Sequence, residues 1–285
     1  MLYHVTHTTR YSYEGPVSQC LSEARLTPRS FPGQTLLQSR LEVRPEAASI
    51  EHRKDYFGND VTTFAVLRTH DHFAATAYSV VEVQPPSPGE LPGMAWESAR
   101  DQVAAQSDLA ALEAYEFIFD SPFIERAPEL AEYARPSFPP GRPLASAVLE
   151  LSHRVHSEFR YQPKSTSIEM PLLEVLASRR GVCQDFAHVM IGALRSLRLA
   201  ARYVSGYLRS GAQVQGAEAS HAWVSVFVPG LGWMSVDPTN DVTPSDGHVT
   251  LAWGRDYGDV TPVKGIALGG GKQTVEVEVR VDAVV

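Results

Sequence analysis

The sequence predicts an α+β protein in which a small β-sandwich domain precedes a core that combines helices with an antiparallel sheet. Two observations support this prediction. Residues 1–84 contain short runs rich in β-branched and aromatic residues, separated by turn signals and without a helical period. Residues 144–199 show helical spacing of apolar side chains instead, and three strand-like runs follow them, at 201–208, 220–228 and 233–237.

The composition is that of a globular protein, and the chain of 285 residues suffices for one large domain or two ordinary ones. The formal net charge of −8 disfavours nucleic acid or an anionic membrane as a partner, because phosphate binding needs clustered cations. No apolar run approaches the ~18–20 residues of a membrane span, and the N-terminus lacks the pattern of a signal peptide. We therefore expect a cytoplasmic protein.

The N-terminal part shows strand-like runs at 3–9, 38–43 and 77–83, and residues 55–60 predict a turn with Gly or Asn at positive φ. Four prolines within residues 84–93 mark the clearest boundary in the chain. From these signals we expect four parts: a β-sandwich module at 1–84, a proline-rich linker with a helical segment at 85–143, the core at 144–268, and a terminal strand at 269–285.

Three helices are predicted in the core. They span residues 144–156, residues 171–180 with Gly181 as the terminating glycine, and residues 185–199, where apolar side chains form a continuous stripe. A strand-like piece at 159–161 lies between the first two helices. The tail alternates strictly over 274–281 and predicts a strand with one solvated face.

The two cysteines, Cys20 and Cys183, cannot form a disulfide scaffold and match no zinc-ligand spacing. Cys183 directly precedes the strongest helix, where unpaired N–H groups and the helix dipole stabilise a thiolate. Its backbone N–H is free to form half of an oxyanion hole, and Gly181 permits close backbone approach. Cys20 has no such neighbours, and we expect a buried structural residue.

A nucleophilic cysteine also needs a base and a carboxylate that orients the base, and His221 and Asp237 are the candidates. They begin and end consecutive predicted strands. If the connecting turn is centred on Gly230, Trp223 lies opposite Asp237, and His221 becomes a diagonal neighbour of Asp237 on the same face. A turn with an even number of residues would place the two side chains on opposite faces. The hypothesis therefore predicts an odd-length connection.

The same residues carry a resemblance to a known family. Four segments between residues 181 and 240 closely resemble the bacterial transglutaminase-like family: Gly181-Val182-Cys183-Gln184-Asp185-Phe186-Ala187-His188, Ala201-Arg202-Tyr203-Val204-Ser205-Gly206-Tyr207, Ser220-His221-Ala222-Trp223 and Trp233-Met234-Ser235-Val236-Asp237-Pro238-Thr239-Asn240. Residues 24–29 and 55–59 resemble the N-terminal β module that accompanies such domains, and residues 254–257 fit as well.

This resemblance implies a papain-like, transglutaminase-like core with Cys183, His221 and Asp237 as the catalytic triad. The family includes crosslinkers, peptidases and amidases, so the fold does not fix the substrate. We expect a cysteine-dependent enzyme that forms a thioester from an amide of a protein or peptide and hydrolyses a peptide or isopeptide bond. The alternatives are a transglutaminase that joins glutamine to an amine, a non-catalytic binding module and, ranked low, an arylamine acetyltransferase. We expect no cofactor or metal, since no loop has EF-hand spacing.

Further residues are weaker candidates for the cleft. Gln184 lines the oxyanion site or serves only at the helix start, and Tyr161 donates to the oxyanion or is an ordinary half-buried strand tyrosine. Trp223 is expected to form a wall of the cleft. Asp256 and Tyr257 either close the cleft or make a turn.

Three histidines are better explained without catalysis. His188 is expected to be a packed or hydrogen-bonded helix residue, not a second base. His153 and His156 have a spacing that suits metal binding, but no further ligand accompanies them.

Overall fold

The computed structural model describes residues 1–85, 93–163, 170–209, 214–216 and 219–284. Most of the proline-rich boundary at 84–93 therefore lies outside the described residues. No helix among the described residues is both long and apolar enough to cross a membrane.

The N-terminal module is built on one seven-stranded sheet. Its strands are β1 (Leu2–Ala24), β2 (Gln34–Arg44), β3 (Ser49–Lys54), β4 (Asp60–Val66) and β5 (His70–Val83), joined by the last two strands of the chain, β12 (Val263–Gly269) and β13 (Gln273–Val284). The predicted turn at 55–60 is confirmed, with Gly58 at a φ of 73°.

The long strand β1 bends and contributes to two layers. Residues 2–13 pair with β5 and β13, whereas residues 17–24 pair with β4 and β12, and the register shifts between Ser12 and Val17. Buried side chains of both halves, including Val17, Phe64 and Phe73, share one hydrophobic cluster. The sheet therefore folds over its own core and makes the two layers of a small sandwich.

Seven α-helices are described: α1 (Trp96–Ala105), α2 (Leu109–Tyr115), α3 (Pro128–Ala134), α4 (Leu144–Glu158), α5 (Leu172–Ser178), α6 (Cys183–Ser196) and α7 (Tyr257–Val260). The three helices expected in the core correspond to α4, α5 and α6. Pro128 occupies the first turn of α3, where its missing N–H costs no hydrogen bond.

The core sheet consists of β8 (Ala201–Leu208), β9 (His221–Val228), β10 (Gly232–Val236) and β11 (His248–Gly254), in the order β10-β9-β8-β11. Helix α6 packs on one face, where its Met190 shares a hydrophobic cluster with Val224 and Val226. The register confirms the predicted odd-length turn, because Gly232 lies opposite Val228 and Val236 opposite Val224, which centres the connection on Gly230.

One expectation from the sequence is wrong in detail, and one strand of the core was not expected. Gly181 does not terminate α5, because the left-handed residue after that helix is Arg179, with a φ of 55°. Gly181 instead belongs to β7 (Arg180–Gly181), which pairs in parallel with β6 (Arg160–Tyr161). Strand β11 was not anticipated either, since its glycine-containing end resembles a loop.

The tail crosses back to the module. Strand β12 pairs with β1, although the sequence assigns residues 263–268 to the core. The boundaries between the four parts of the chain stay predictions.

Side-chain amides join the module to the core along the edge of β11. Gln34 accepts a hydrogen bond from the backbone N–H of Thr250 at 2.8 Å and donates to its carbonyl at 2.8 Å. Asn59 makes the same pair of bonds with the backbone of Trp253, at 3.0 Å and 2.9 Å. These amides satisfy an exposed strand edge that would otherwise lack partners.

Candidate active site

Cys183 is the first residue of α6, so its backbone N–H has no acceptor within the helix. The Asp185 carboxylate accepts a hydrogen bond from the N–H of Val182 at 2.8 Å and caps the helix start. A Cβ on Gly181 would come within 2.6 Å of the Asp185 side chain, so the glycine allows this cap to form. Cys183 is 9% exposed, which leaves its sulfur enclosed but not sealed.

His221 and Asp237 are both fully enclosed, and Nε2 of His221 lies 2.8 Å from Oδ2 of Asp237. The other ring nitrogen, Nδ1, is buried and has no nitrogen or oxygen partner among the described residues. Burial lowers the pKa of His221, but the charge of Cys183 and hydrogen bonds to Asp237 and Cys183 outweigh this and raise it to about 10. The imidazole therefore links the thiol to the carboxylate.

The Asp237 carboxylate accepts five hydrogen bonds from the described residues. Besides His221, the donors are Nε2 of His248 at 3.3 Å, Nδ2 of Asn240 at 2.9 Å, and the backbone N–H groups of Thr239 at 2.9 Å and Asn240 at 3.3 Å. Burial raises the pKa of Asp237, but the bonds to His221 and His248 outweigh burial and hold it well below its ordinary value. The carboxylate is thus held ionised in a dry site.

Asn240 also ties a loop to this centre. Its Oδ1 accepts from the N–H of Gln215 at 2.9 Å, and its Nδ2 donates to the Gln215 carbonyl at 3.3 Å. The next residue, Gly216, lies directly against the imidazole of His221. Asn240 therefore couples the carboxylate to the backbone that covers the histidine.

Two tyrosines lie close to Cys183. Tyr161 is half-buried, opposite Gly181 in the β6–β7 pair, and burial followed by the charge of Cys183 raises its pKa to about 12. Tyr203 of β8 is buried, and burial followed by the charge of Cys183 raises its pKa well above the ordinary value. Both phenols stay protonated at neutral pH and are available as donors near the sulfur.

The structure separates the weaker candidates. Gln184 is half-buried as the second residue of α6. Trp223 is buried beside His221, with ring centroids 6.2 Å apart, and lines a large cavity. Asp256 is fully buried, and its carboxylate accepts from the N–H groups of Phe123 at 2.9 Å and Gly258 at 2.8 Å. Both carboxylate oxygens of Asp256 thus stabilise a turn.

Tyr257 and His188 are hydrogen-bonded to each other. The backbone N–H of Tyr257 donates to Nε2 of His188 at 3.2 Å, and the His188 ring stacks on Phe123. Burial, followed by the charge of Arg195, lowers the pKa of His188 to about 3. His188 is a buried, hydrogen-bonded helix residue, as the sequence predicts.

His153 and His156 do not converge on a metal site. Nδ1 of His153 lies 2.7 Å from the Asp241 carboxylate, and Nδ1 of His156 lies 2.9 Å from the Thr239 carbonyl. Both therefore hold the segment that follows Asp237. No cluster of three or more metal-ligating side chains occurs in the part of the chain that the structure describes.

Comparison with known proteins now gives the family. The family model described as the transglutaminase-like superfamily matches residues 132–238, and that of the bacterial transglutaminase-like N-terminal region matches residues 3–82. The chain belongs to the transglutaminase-like superfamily. An uncharacterized superfamily relative from Mycobacterium tuberculosis is 37% identical over 295 residues, covering 99% of this chain and 92% of the relative.

Two further similarities are more distant. A crystal structure of a "putative cysteine protease" from Cytophaga hutchinsonii has a TM-score of 0.77 at 21% identity and covers 100% of this chain and 91% of that one. It confirms the predicted fold class. A protein-glutamine gamma-glutamyltransferase from Pseudomonas aeruginosa is 30% identical over 127 residues, which are 42% of this chain and 19% of the relative.

Four residues that the structure places in this candidate site were given no role from the sequence: Gly216, Tyr203, Asn240 and His248. Asn240 was visible as the end of the Asp-Pro-Thr-Asn segment, but nothing in the sequence assigned its side chain to Asp237. His248 was one of ten histidines, on a strand that the sequence did not predict.

Proposed function

We propose that this protein is a cysteine-dependent amidase or peptidase that cleaves a peptide or isopeptide bond through a thioester on Cys183. The observation that carries the proposal is the buried imidazole of His221, which bonds through Nε2 to Asp237 and also interacts with Cys183. A pKa of about 10 for His221 favours a resting pair of thiolate and imidazolium at neutral pH.

The first half-reaction forms the acyl-enzyme. The Cys183 thiolate attacks the amide carbonyl carbon, and the backbone N–H of Cys183 donates to the developing oxyanion. Tyr161 and Gln184 are the candidates for the second donor. The tetrahedral intermediate collapses as the imidazolium of His221 protonates the departing amine, and a thioester and a free amine result.

The second half-reaction releases the acid. His221, now neutral, accepts a proton from water, and the hydroxide formed attacks the thioester carbonyl carbon. The C–S bond breaks, Cys183 leaves as a thiolate, and His221 is again protonated. Asp237 holds the imidazole in orientation and stabilises its positive charge throughout.

Acyl transfer to an amine is the second candidate, and the similarity to the Pseudomonas protein-glutamine gamma-glutamyltransferase favours it. The chemistry differs only in the nucleophile that resolves the thioester. A primary amine in place of water gives an isopeptide product.

Alkylation tests the ion pair directly. We expect iodoacetamide at pH 6 to modify Cys183 much faster than a free thiol, and His221→Ala to abolish this rapid labelling. Cys20 is an internal reference in the same molecule, since it is buried and burial raises its pKa. Labelling of Cys183 no faster than that of a free thiol would contradict the proposal.

Trapping tests the thioester. Incubation of the protein with peptides containing glutamine and with hydroxylamine should yield hydroxamates, and Cys183→Ala should yield none. A labelled primary amine in place of hydroxylamine then separates transfer from hydrolysis. Rapid alkylation without any hydroxamate, acid or amine product would leave a reactive cysteine but overturn the amide-cleaving activity.

A further inference from the structure

A cavity of about 930 Å³ lies where the N-terminal module, the helical segment and the core sheet meet. Phe57 of the module, Phe117 from the turn after α2, and Trp223, Trp233 and Trp253 of the core sheet line it. This volume and the aromatic lining are typical of pockets that bind small ligands. The site residues Cys183, His221 and Asp237 are not among its lining residues.

Arg202 lines this cavity, and it forms no ion pair with a carboxylate of the described residues. Its guanidinium carbon lies 4.1 Å from the ring centroid of Trp233 and 3.9 Å from that of Trp253, so aromatic rings flank it. Its Nε is buried without a hydrogen-bond partner among the described residues. Burial, followed by the charge of Arg29, lowers the pKa of Arg202 well below its ordinary value.

A guanidinium that stacks on aromatic rings bonds a ligand through the N–H groups at its edge. The N–H groups along that edge form a planar fork that matches the two oxygens of a carboxylate. Ser225 lies opposite both Arg202 and Ser235 in the sheet, and the two hydroxyls are 2.6 Å apart. These serines line the same cavity and supply further polar groups beside the arginine.

Two glutamates also line the cavity, Glu113 and Glu116, but neither is a source of charge that compensates Arg202. They disfavour a multiply charged anion such as phosphate, because repulsion grows with the charge of the ligand. A singly charged carboxylate on an otherwise neutral molecule meets less repulsion.

The cavity is connected to the candidate active site through Trp223. Along β9, Ala222 and Val224 belong to the cluster that packs on α6, so Trp223 and Ser225 lie on the outer face. The Trp223 ring lies 6.2 Å from His221 and 5.3 Å from His248. A ligand in the cavity therefore touches a side chain that packs against both histidines.

We propose that this cavity binds a peptide through its C-terminal carboxylate, with Arg202 as the receptor and the tryptophan rings as walls. The choice of a peptide rests on the proposed function, whereas the carboxylate follows from Arg202 itself. The site gives the enzyme a preference for substrates or products with a free C-terminus.

Binding tests this without turnover. Three of the four tryptophans line the cavity, so intrinsic fluorescence reports its occupancy. We would titrate Cys183→Ala protein with N-acetyl-Ala-Phe as the free acid and as the C-terminal amide. We expect the acid to bind at least about tenfold more tightly, since a charge-assisted bidentate contact is worth roughly 1.5–3 kcal/mol. Equal binding of the two peptides, or no binding of either, would overturn the proposal.

A matched pair of variants locates the contact. Arg202→Lys keeps the charge but loses the fork, and should abolish the preference for the acid. Arg40→Lys is the matched control, since Arg40 also stacks on an aromatic ring, that of Tyr78. Arg40 lies outside the cavity, so this variant should keep the preference for the acid. A preference that survives Arg202→Lys would contradict the proposal.

Two further measurements separate the remaining outcomes. If Arg202→Lys fails to fold, Ser235→Ala provides a second test, because it leaves the stacked arginine intact. This variant should bind the acid more weakly than the parent protein. Undiminished binding would overturn the serine–arginine receptor. Inorganic phosphate that displaced the peptide with equal affinity would overturn carboxylate selectivity. Normal acid binding in a protein without thioester chemistry would refute only the proposed function.

Discussion

Gly216 lies so close to His221 that a Cβ added to the glycine would come within 2.7 Å of the imidazole Nδ1. Its φ of 89° falls in the left-handed region, which side chains rarely adopt. Gly216 is held in place by its neighbour Gln215, whose backbone bonds to Asn240. The nitrogen that faces the thiol is therefore flanked by a backbone that tolerates only glycine.

Gly216→Ala should displace the imidazole and slow iodoacetamide labelling of Cys183 by roughly tenfold or more, because the ion pair needs contact between Nδ1 and sulfur. The matched control is Gly141→Ala, at a similar φ of 76° but with no atom within 4 Å of the added Cβ. Both variants introduce the same kind of backbone strain. Slower labelling in Gly216→Ala alone would therefore be due to the contact between the added Cβ and His221. Equal labelling rates in the two proteins would contradict the role given to Gly216.

His248 should stabilise the ionised form of Asp237 through its Nε2. His248→Phe removes one of five donors, and we expect a loss of about 1 kcal/mol in the free energy of unfolding at pH 7. His248→Gln places an amide N–H near the position of Nε2 and should recover part of that loss. Urea denaturation measures both, and two variants with the same midpoint would argue against the hydrogen bond as the cause.

The alkaline side of the reactivity profile follows from His221. With a pKa of about 10, the imidazolium of His221 persists well above the ordinary range of histidine, so the rapid labelling of Cys183 that depends on it should persist up to pH 9. The same shift means that the proton on His221 stabilises the fold fully below its unfolded pKa of about 6.5, and that this contribution is lost as the pH rises through about 10. His221→Asn should remove the part of the labelling rate that depends on the imidazolium, so the variant should label more slowly than the parent protein from pH 6 to 9. Equal rates in the two proteins across this range would refute the ion pair.

Local signals in the sequence were sufficient for the elements that hold the candidate triad of Cys183, His221 and Asp237. The stripe of α6 and the turn centred on Gly230 depend on neighbours in sequence, and both predictions are confirmed. Gly216, Asn240 and His248 reach His221 and Asp237 from other segments, and no periodicity records such contacts. The Arg202 cavity is further from prediction, because segments of the N-terminal module, the helical region and the core sheet that are distant in sequence line it.

The contacts of strand β11 explain why the sequence did not predict it. It begins at His248 and ends at Gly254, and its register shifts between Thr250 and Ala252. Its free edge is satisfied by Gln34 and Asn59, about 200 residues earlier in the chain. A strand completed by side chains of a distant module lacks the hairpin partner that makes other strands recognisable.

Acid should destabilise the fold through two buried histidines. Burial lowers the pKa of His7 to about 4, and burial with the charge of Arg195 lowers that of His188 to about 3. In the unfolded chain each histidine takes up a proton near pH 6.5. The free energy of unfolding therefore falls by about 1.4 kcal/mol per histidine for each pH unit below that value, down to the pKa of the folded state.

Urea denaturation at pH 7.5 and pH 5 measures this loss. His7→Gln and His188→Gln should each reduce the difference between the two conditions, because glutamine does not titrate. The control is His4→Gln, on the same strand as His7 but with an exposed side chain. A pH difference that is unchanged in both buried-site variants would assign the acid sensitivity to other groups.

The junction between module and core should depend on Gln34. Its side chain makes three hydrogen bonds, two with the backbone of Thr250 and one to the carbonyl of Arg29 at 2.7 Å, and it is buried. Gln34→Ala leaves the backbone N–H of Thr250 without its partner, although the N–H of Arg29 still donates to the Thr250 carbonyl at 3.2 Å. We expect a cost of roughly 1–3 kcal/mol in the free energy of unfolding. Gln38→Ala, at an exposed position of the same strand, should cost less than about 0.5 kcal/mol.

Because the edge of β11 also borders the Arg202 cavity through Trp253, Gln34→Ala should weaken binding of the free-acid peptide as well, while Gln38→Ala should not. Loss of stability with undiminished peptide binding would show that the junction holds the module without shaping the cavity.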